Sequence, residues 1–340
     1  MGTHVSSCAQ VVKEALLYAG GFSSNSKHPA SVTIKGIEYS VGRVLGEGGN
    51  SFVYEGRDVR SWNLVALKRF LLNDQYQQPN QIMEEASLHR SLCPHPSIVT
   101  FYDSDVVELS GHPLPEVWIV MELCDDPSLA NYISMRMSVK QPFAVREVYE
   151  ICDCIVRIIA YLHTQSPPVS HWDIKAENFL FADSQNVKLC DFGSATRLYY
   201  APKDAYQISI AEAELGEKMT LLYRSPESLD LWSKQRVDTK CDIWSLGVLI
   251  YLLVFFEMPF QPNTLEIIDG TPIRFRGEEN TVPVDFRPLM EVVMNTMLVK
   301  DPSKRGDIFE VSERLSAITF LPPVPRPRPG FQSSQRPRFE

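Results

Sequence analysis

Two short stretches hold most of the chemistry this chain can do. One is His171-Trp172-Asp173-Ile174-Lys175-Ala176-Glu177-Asn178, and the other is Cys190-Asp191-Phe192-Gly193. Hard oxygen donors such as Asp191 and Asn178 suit magnesium, which usually keeps substrate phosphates among its other ligands. Asp173 is then free to accept a hydroxyl proton. Upstream, Leu45-Gly46-Glu47-Gly48-Gly49-Asn50-Ser51-Phe52-Val53-Tyr54 places a glycine-rich turn between two strand-like runs. Glycine lets the backbone approach phosphate oxygens with no Cβ in the way. Alone, this turn fits a tight hairpin equally well. A dinucleotide-binding fold is disfavoured, because Val53-Tyr54 continues as strand where that motif opens a helix. Val65-Ala66-Leu67-Lys68 then puts an ammonium on the next strand, able to neutralise two phosphates if a carboxylate holds it still. Glu85, on the following helix, is the better candidate for that carboxylate, with Glu84 facing elsewhere. Taken singly, Lys68 and Glu85 also read as surface charges.

These groups need elements to carry them. From Ile37 to about Cys124 the apolar runs are short and β-branched: Tyr39-Ser40-Val41, Phe52-Val53-Tyr54, Val65-Ala66-Leu67 and Val117-Trp118-Ile119-Val120. They predict strands, interrupted by one helix from about Gln81 to Leu92. Beyond Cys124 the apolar spacing turns helical over Val145 to His163, Asp242 to Phe256, Leu289 to Leu298 and Ile308 to Ile318. Two short strands, Asn178–Ala182 and Val187–Cys190, flank the loops that carry the aspartates. The expected domains are an N-terminal extension (1–36), a mostly β lobe (37–123), a mostly α lobe (124–320) and a tail (321–340). The fold class is α+β with two lobes.

Composition narrows the function. Thirty-three basic against 42 acidic residues give a net charge of −9 over 340 residues. That balance argues against a nucleic-acid binder, which needs a basic surface to displace counterions. No apolar run approaches the roughly 18 residues of a membrane span, and the start lacks the pattern of a secretory signal. The 7 cysteines do not form a disulfide framework in so long a chain. Cys152 and Cys154 point to different helix faces, so metal binding there is not expected. The chain reads as intracellular and reduced.

With both loop motifs, residues 37–319 resemble a eukaryotic protein kinase. Tyr223-Arg224-Ser225-Pro226-Glu227 stands where kinases carry Ala-Pro-Glu. Asp242-Ile243-Trp244-Ser245-Leu246-Gly247 resembles the helix that anchors the catalytic loop, and Arg305 the buried partner of Glu227. The resemblance implies a cleft between two lobes that binds ATP and Mg2+. Leu45, Gly46, Glu47, Gly48, Gly49, Val53, Ala66 and Leu180 would surround the nucleotide, Met121 would be the gatekeeper, and Glu122 to Cys124 would meet adenine. Lys68, held by Glu85, would contact the α- and β-phosphates. Asp191 and Asn178 would bind magnesium, Asp173 would accept the hydroxyl proton, and Lys175 would steady the γ-phosphate. Lys175, with Thr220 downstream, resembles the serine/threonine pattern.

Within kinases the chain resembles the Numb-associated family. That resemblance rests on Glu47-Gly48-Gly49, on Cys190-Asp191-Phe192-Gly193-Ser194-Ala195-Thr196 and on Tyr223-Arg224. The stretch between Glu227 and Asp242, including Leu229-Asp230-Leu231-Trp232, is expected to form an extra helix. The family implies action on clathrin-adaptor subunits in endocytosis and membrane traffic; a cytoplasmic location and a monomer are the default expectations.

Two departures matter. Ser51 replaces a third glycine in the nucleotide loop. Trp172 stands where most kinases have an arginine that pairs with a phosphate on the activation segment, and indole cannot replace that bidentate cation. Activity independent of activation-segment phosphorylation is therefore expected, although Thr196, Ser209 and Thr220 remain available for tuning. Trp172 also motivates the alternative of a pseudokinase scaffold without turnover, and the tail that of an adaptor recruited through it. At the ends, Met1-Gly2-Thr3-His4-Val5-Ser6 fits N-myristoylation with Cys8 near enough for palmitoylation. Two acyl chains would anchor the chain peripherally at a membrane; a chance match fits the motif as well. Pro322-Pro323-Val324-Pro325-Arg326-Pro327-Arg328-Pro329 has the spacing of an SH3-type ligand, or of a simple extended, poorly packed tail.

Overall fold

The structure is a computed structural model and describes residues 29–48, 51–72, 79–108, 114–124, 126–182, 186–272, 275, 282–319 and 322–326. Gly2, Cys8, Gly49 and the tail beyond Arg326 lie outside the described residues. Strands β1 (Ser31–Ile34), β2 (Ile37–Glu47), β3 (Ser51–Asp58) and β4 (Leu64–Leu71) are followed by helix α1 (Pro79–Ser91). Next come β5 (Phe101–Val107), β6 (Glu116–Met121), α2 (Leu129–Ser138) and α3 (Val145–His163), then β7 (Phe179–Phe181) and β8 (Val187–Leu189). The remainder is helical: α4 (Ala205–Lys218), α5 (Pro226–Leu229), α6 (Lys240–Phe255), α7 (Thr264–Asp269), α8 (Arg287–Val292) and α9 (Ile308–Thr319).

Contacts divide the chain into two units. One holds the sheet and, besides the residues up to Pro127, the stretch Leu180–Gly193; the other holds Ser128–Phe179 and the chain from Ser194 onward. The sequence predicts a single division at 123/124. The stretch 180–193 groups with the sheet unit because β8 is bonded to the segment just ahead of β5: Ile98 bridges Leu189, Val99 N donates to Leu189 O at 3.0 Å and Leu189 N to Ser97 O at 2.9 Å.

In the first unit the strands form an antiparallel sheet in the order β1-β2-β3-β4-β6-β5. Strand alternation sorts its side chains. Val65, Leu67, Trp118 and Val120 pack with Tyr54 and Val32 on one face. Phe70, Val117 and Ile119 pack with Ile82 and Ala86 of α1 on the other. Lys68 is two residues from Phe70 and so belongs to the α1 face, with its ammonium 4.8 Å from the Phe70 ring. Arg69 points the opposite way. There it forms a buried two-point pair with Glu116 (2.9 and 2.5 Å), and Trp118 Nε1 donates to the same carboxylate at 3.1 Å.

The second unit is built from helices with buried stripes. α3 buries Val148, Ile151, Cys152, Ile155, Ile159 and Leu162, the spacing of one helix face. α6 is buried all round from Cys241 to Leu253 and runs through the middle of this unit. The extra helix expected after Glu227 does not form as one element: α5 ends at Leu229 after a single turn, and 231–233 form a single 3-10 turn. The long helix lies before Glu227, as α4. Asp204 caps it by accepting from Gln207 N at 2.9 Å, and Ile208, Ala211 and Leu215 are its buried stripe. Leu231 in the later stretch is buried as a turn residue, too short a segment to bury a helical face. The first residues of the tail are extended but tied down. Arg157 donates to Pro322 O (2.6 Å), Val324 N to Ser312 Oγ (2.8 Å) and Arg326 to Asp307 Oδ2 (2.7 Å).

Candidate active site

In the first unit, β4 carries Lys68 on the face covered by α1. Lys68 Nζ lies 2.8 Å from Glu85 Oε1 and 2.8 Å from Asp191 Oδ1. Glu84, the neighbour on α1, is exposed. Burial opposes the Lys68 charge, but the two carboxylates outweigh it and hold its pKa above the ordinary lysine value. Lys68 is therefore a fixed cation. Asp191 stands at φ 58°, in the left-handed region that side chains rarely adopt. A Cβ on Gly193 would come within 3.2 Å of Glu85 Oε2 and 3.4 Å of Asp191 Oδ1, so glycine there leaves the carboxylates room.

The remaining nucleotide candidates also lie in this unit. Gly46 pairs with Val53 across β2 and β3, and Ala66 with Met121 across β4 and β6. Leu45, Gly46, Val53, Met121, Glu122, Cys124 and Leu180 are half-buried, Ala66 is buried, and Glu47 and Gly48 are exposed. A Cβ on Gly46 would meet nothing within 4 Å, so no neighbouring side chain demands glycine there.

Sequence reasoning missed what holds Glu122. Its carboxylate accepts from Thr100 N (2.9 Å), Thr100 Oγ1 (2.7 Å) and Lys188 Nζ (2.6 and 2.7 Å), while its own N–H donates to Thr100 O at 2.8 Å. Burial opposes the Glu122 charge, but these bonds outweigh it and keep the carboxyl below its ordinary pKa. Each partner is a common residue far away in the chain, so no local signal exists.

In the second unit, Asp173, Lys175, Asn178 and Thr220 converge. Thr220 Oγ1 donates to Asp173 Oδ1 at 2.6 Å. Lys175 Nζ is 2.7 Å from Asp173 Oδ2 and donates to Thr220 Oγ1 at 3.1 Å. Asn178 Nδ2 donates to Asp173 O (2.8 Å) and Oδ2 (3.3 Å), which leaves its carbonyl oxygen for a cation. The loop is set from below by buried Asp242. Asp242 accepts from His171 N (2.9 Å), Trp172 N (2.8 Å) and His163 Nε2 (2.9 Å). Glu227 and Arg305, both with fully buried side chains, form a two-point pair at 2.7 and 2.8 Å. A bidentate guanidinium–carboxylate pair of this kind is among the stronger polar links in a protein.

The protein kinase domain family matches residues 39–314. The chain belongs to the protein kinase family. Relatives of this kinase domain include two probable serine/threonine-protein kinases of Dictyostelium discoideum. They are 31% identical over 82% of this chain and 24% of the relative, and 30% identical over 84% of this chain and 34% of the relative. Actin-regulating kinase 1 of Saccharomyces cerevisiae is 28% identical over 86% of this chain and 45% of its own length. The kinase domain thus spans less than half the length of these curated relatives.

The family's general chemistry uses ATP and Mg2+, and the residues fit both. Among the described residues no three His, Cys, Asp or Glu side chains are placed to hold a metal together. The Asp191 carboxylate in the sheet unit and the Asn178 carbonyl in the helical unit are each hard oxygens of the kind that suits magnesium. Lys68 supplies the fixed cation that anionic phosphates require.

Proposed function

We propose that this kinase domain transfers the γ-phosphate of ATP to serine or threonine hydroxyls of proteins. The observation that carries this reading is the bonding around Asp173. Its carboxylate is held by Thr220 Oγ1 at 2.6 Å and by Lys175 at 2.7 Å, so a proton acceptor and a cation share one spot. An incoming alcohol would displace the Thr220 hydroxyl as donor and give up its proton to Asp173. Lys175 would balance the charge on the transferred group. Lys68, fixed by Glu85, would hold the α- and β-phosphates, and Glu122 and Cys124 would offer backbone groups to adenine. Asp191 and Asn178 would hold magnesium, which when bound neutralises phosphate charge. Catalysis of this type is mostly positioning and charge stabilisation, with turnover of about 1–100 per second in kinases.

Radiolabelled ATP with a mixed Ser, Thr and Tyr peptide pool tests the reading. Label should appear on Ser and Thr, and Asp173→Asn should lower it roughly a hundred- to ten-thousandfold, the range for loss of a general base. Nucleotide binding without label transfer would favour a pseudokinase scaffold instead.

At finer grain, the domain is read as a Numb-associated kinase acting on clathrin-adaptor subunits in membrane traffic. The support is the Glu47-Gly48, Asp191-to-Thr196 and Tyr223-Arg224 patterns. Purified adaptor complex should take up phosphate on a threonine or serine of one subunit. Uptake no faster than into an unrelated acidic protein would contradict this assignment.

A further inference from the structure

Just ahead of Asp173, Trp172 is 1% exposed and heads an apolar cluster. Its ring stacks on Tyr200 at 5.4 Å between centroids and 28° between planes. The cluster continues through Ile208, Ala211 and Leu215 of α4 to Met219. The register of these residues matters. Trp172 immediately precedes Asp173, and Met219 immediately precedes Thr220. The two followers are the pair bonded at 2.6 Å. One apolar cluster therefore sits directly behind both the proton acceptor and the hydroxyl that contacts it.

Two further observations fix the ring's role. The Trp172 backbone stands at φ 63°, with its N–H bonded to Asp242 at 2.8 Å, so the chain holds this side chain inward at a conformational cost. Trp172 Nε1 has no hydrogen-bond partner among the described residues. The indole thus acts through area and shape. Apolar packing needs no added charge, whereas an arginine at this place needs a phosphate to pair with. Thr196, the candidate phosphorylation site nearest in sequence to the loop, is buried, and its Oγ1 already accepts from Leu198 N at 3.0 Å.

We propose that Trp172 is a positioning residue. Its stack on Tyr200 holds α4 and Met219 in place, and thereby sets Thr220 against Asp173 without any phosphate on the segment. This rests on the phosphotransfer reading above and deepens it to the regulation of the same site.

The experiment uses the full chain treated with phosphatase, in wild-type, Trp172→Phe and Trp172→Ala forms, read by kcat, by KM for ATP and by amide exchange. Dephosphorylated wild type should keep at least about half its turnover. Trp172→Ala should lose roughly tenfold in kcat, with KM for ATP within about twofold. Its amides over 205–219 should exchange about tenfold faster while those of α6 stay unchanged. Trp172→Phe keeps the ring and should stay within about threefold of wild type on each measure. If Trp172→Ala does not fold, Tyr200→Ala, which removes the other half of the stack, decides by the same criteria. Near-complete loss of turnover on dephosphorylation would overturn the inference. So would unchanged kcat and exchange in the alanine variant, or a phenylalanine variant as impaired as the alanine one. A wild type with no transfer at all would sink the kinase reading, and the exchange data would still judge the lock.

Discussion

The charged groups of the sheet unit show how one residue's surroundings decide its chemistry. Lys68 is buried yet stays cationic, because Glu85 and Asp191 each lie 2.8 Å away. His89, on α1, is the opposite case. It is 4% exposed, donates from Nε2 to Val99 O at 2.6 Å, and packs against Phe101 and Phe192 at 5.4 and 4.7 Å. A carbonyl only accepts, so the ring nitrogen there must carry the proton. Burial is the main cause that pushes His89 down to about 4, with the Lys68 charge adding to it against the pull of the Val99 bond and Asp191. The sign follows from proton binding: between pH 6.5 and 4 the unfolded chain takes up a proton that the folded one resists. The stabilisation is therefore present above the ordinary histidine pKa and lost as pH falls through that window. It amounts to about 3 kcal/mol when fully lost. An NMR titration of His89 should give a midpoint well below 5, and a midpoint near 6.5 would contradict this environment.

Individual elements differ in how openly the sequence announces them. α3 and α6 were legible because long apolar patterns have one sensible fold, and the strands around Lys68 because β-branched runs end in turn residues. β1 and β5 were not, since Ser31–Ile34 and Phe101–Val107 mix polar and apolar residues and gain their structure from pairing. The misplaced helix has a similar cause. Ile208, Ala211 and Leu215 make a thin stripe among alanines and glutamates, weaker in sequence than Leu229-Asp230-Leu231-Trp232, and only the cluster around Trp172 gives it something to bury against. Because that stripe is thin, the cap should matter. Asp204→Ala should remove about 1 kcal/mol of local helix stability. Amides at 205–210 should then exchange about fivefold faster, and unchanged exchange would show that packing alone sets this end. The catalytic motifs were legible as residue types at fixed spacing. The supports under them were not, because Thr100, Lys188 and His163 are ordinary residues whose value lies in where the fold delivers them.

Across the whole molecule, the sheet unit supplies Lys68, Glu85 and Asp191, and the helical unit supplies Asp173, Lys175 and Asn178. Neither set is a complete catalyst. With a net charge of −9 the chain has no general positive field, so on the proposed reading ATP would be gathered by local cations such as Lys68. If both sets serve one phosphoryl transfer, removing a member of either should stop the same step, and removing both should cost little more than the worse single change. Single-turnover transfer of the γ-phosphate to a threonine peptide is the most direct measurement, comparing wild type with Lys68→Met, Asp173→Asn and the double variant. The account predicts a loss of at least about a hundredfold in each single variant and a similar rate in the double. Transfer at near wild-type rate in either single variant, or independent multiplied losses in the double, would contradict it.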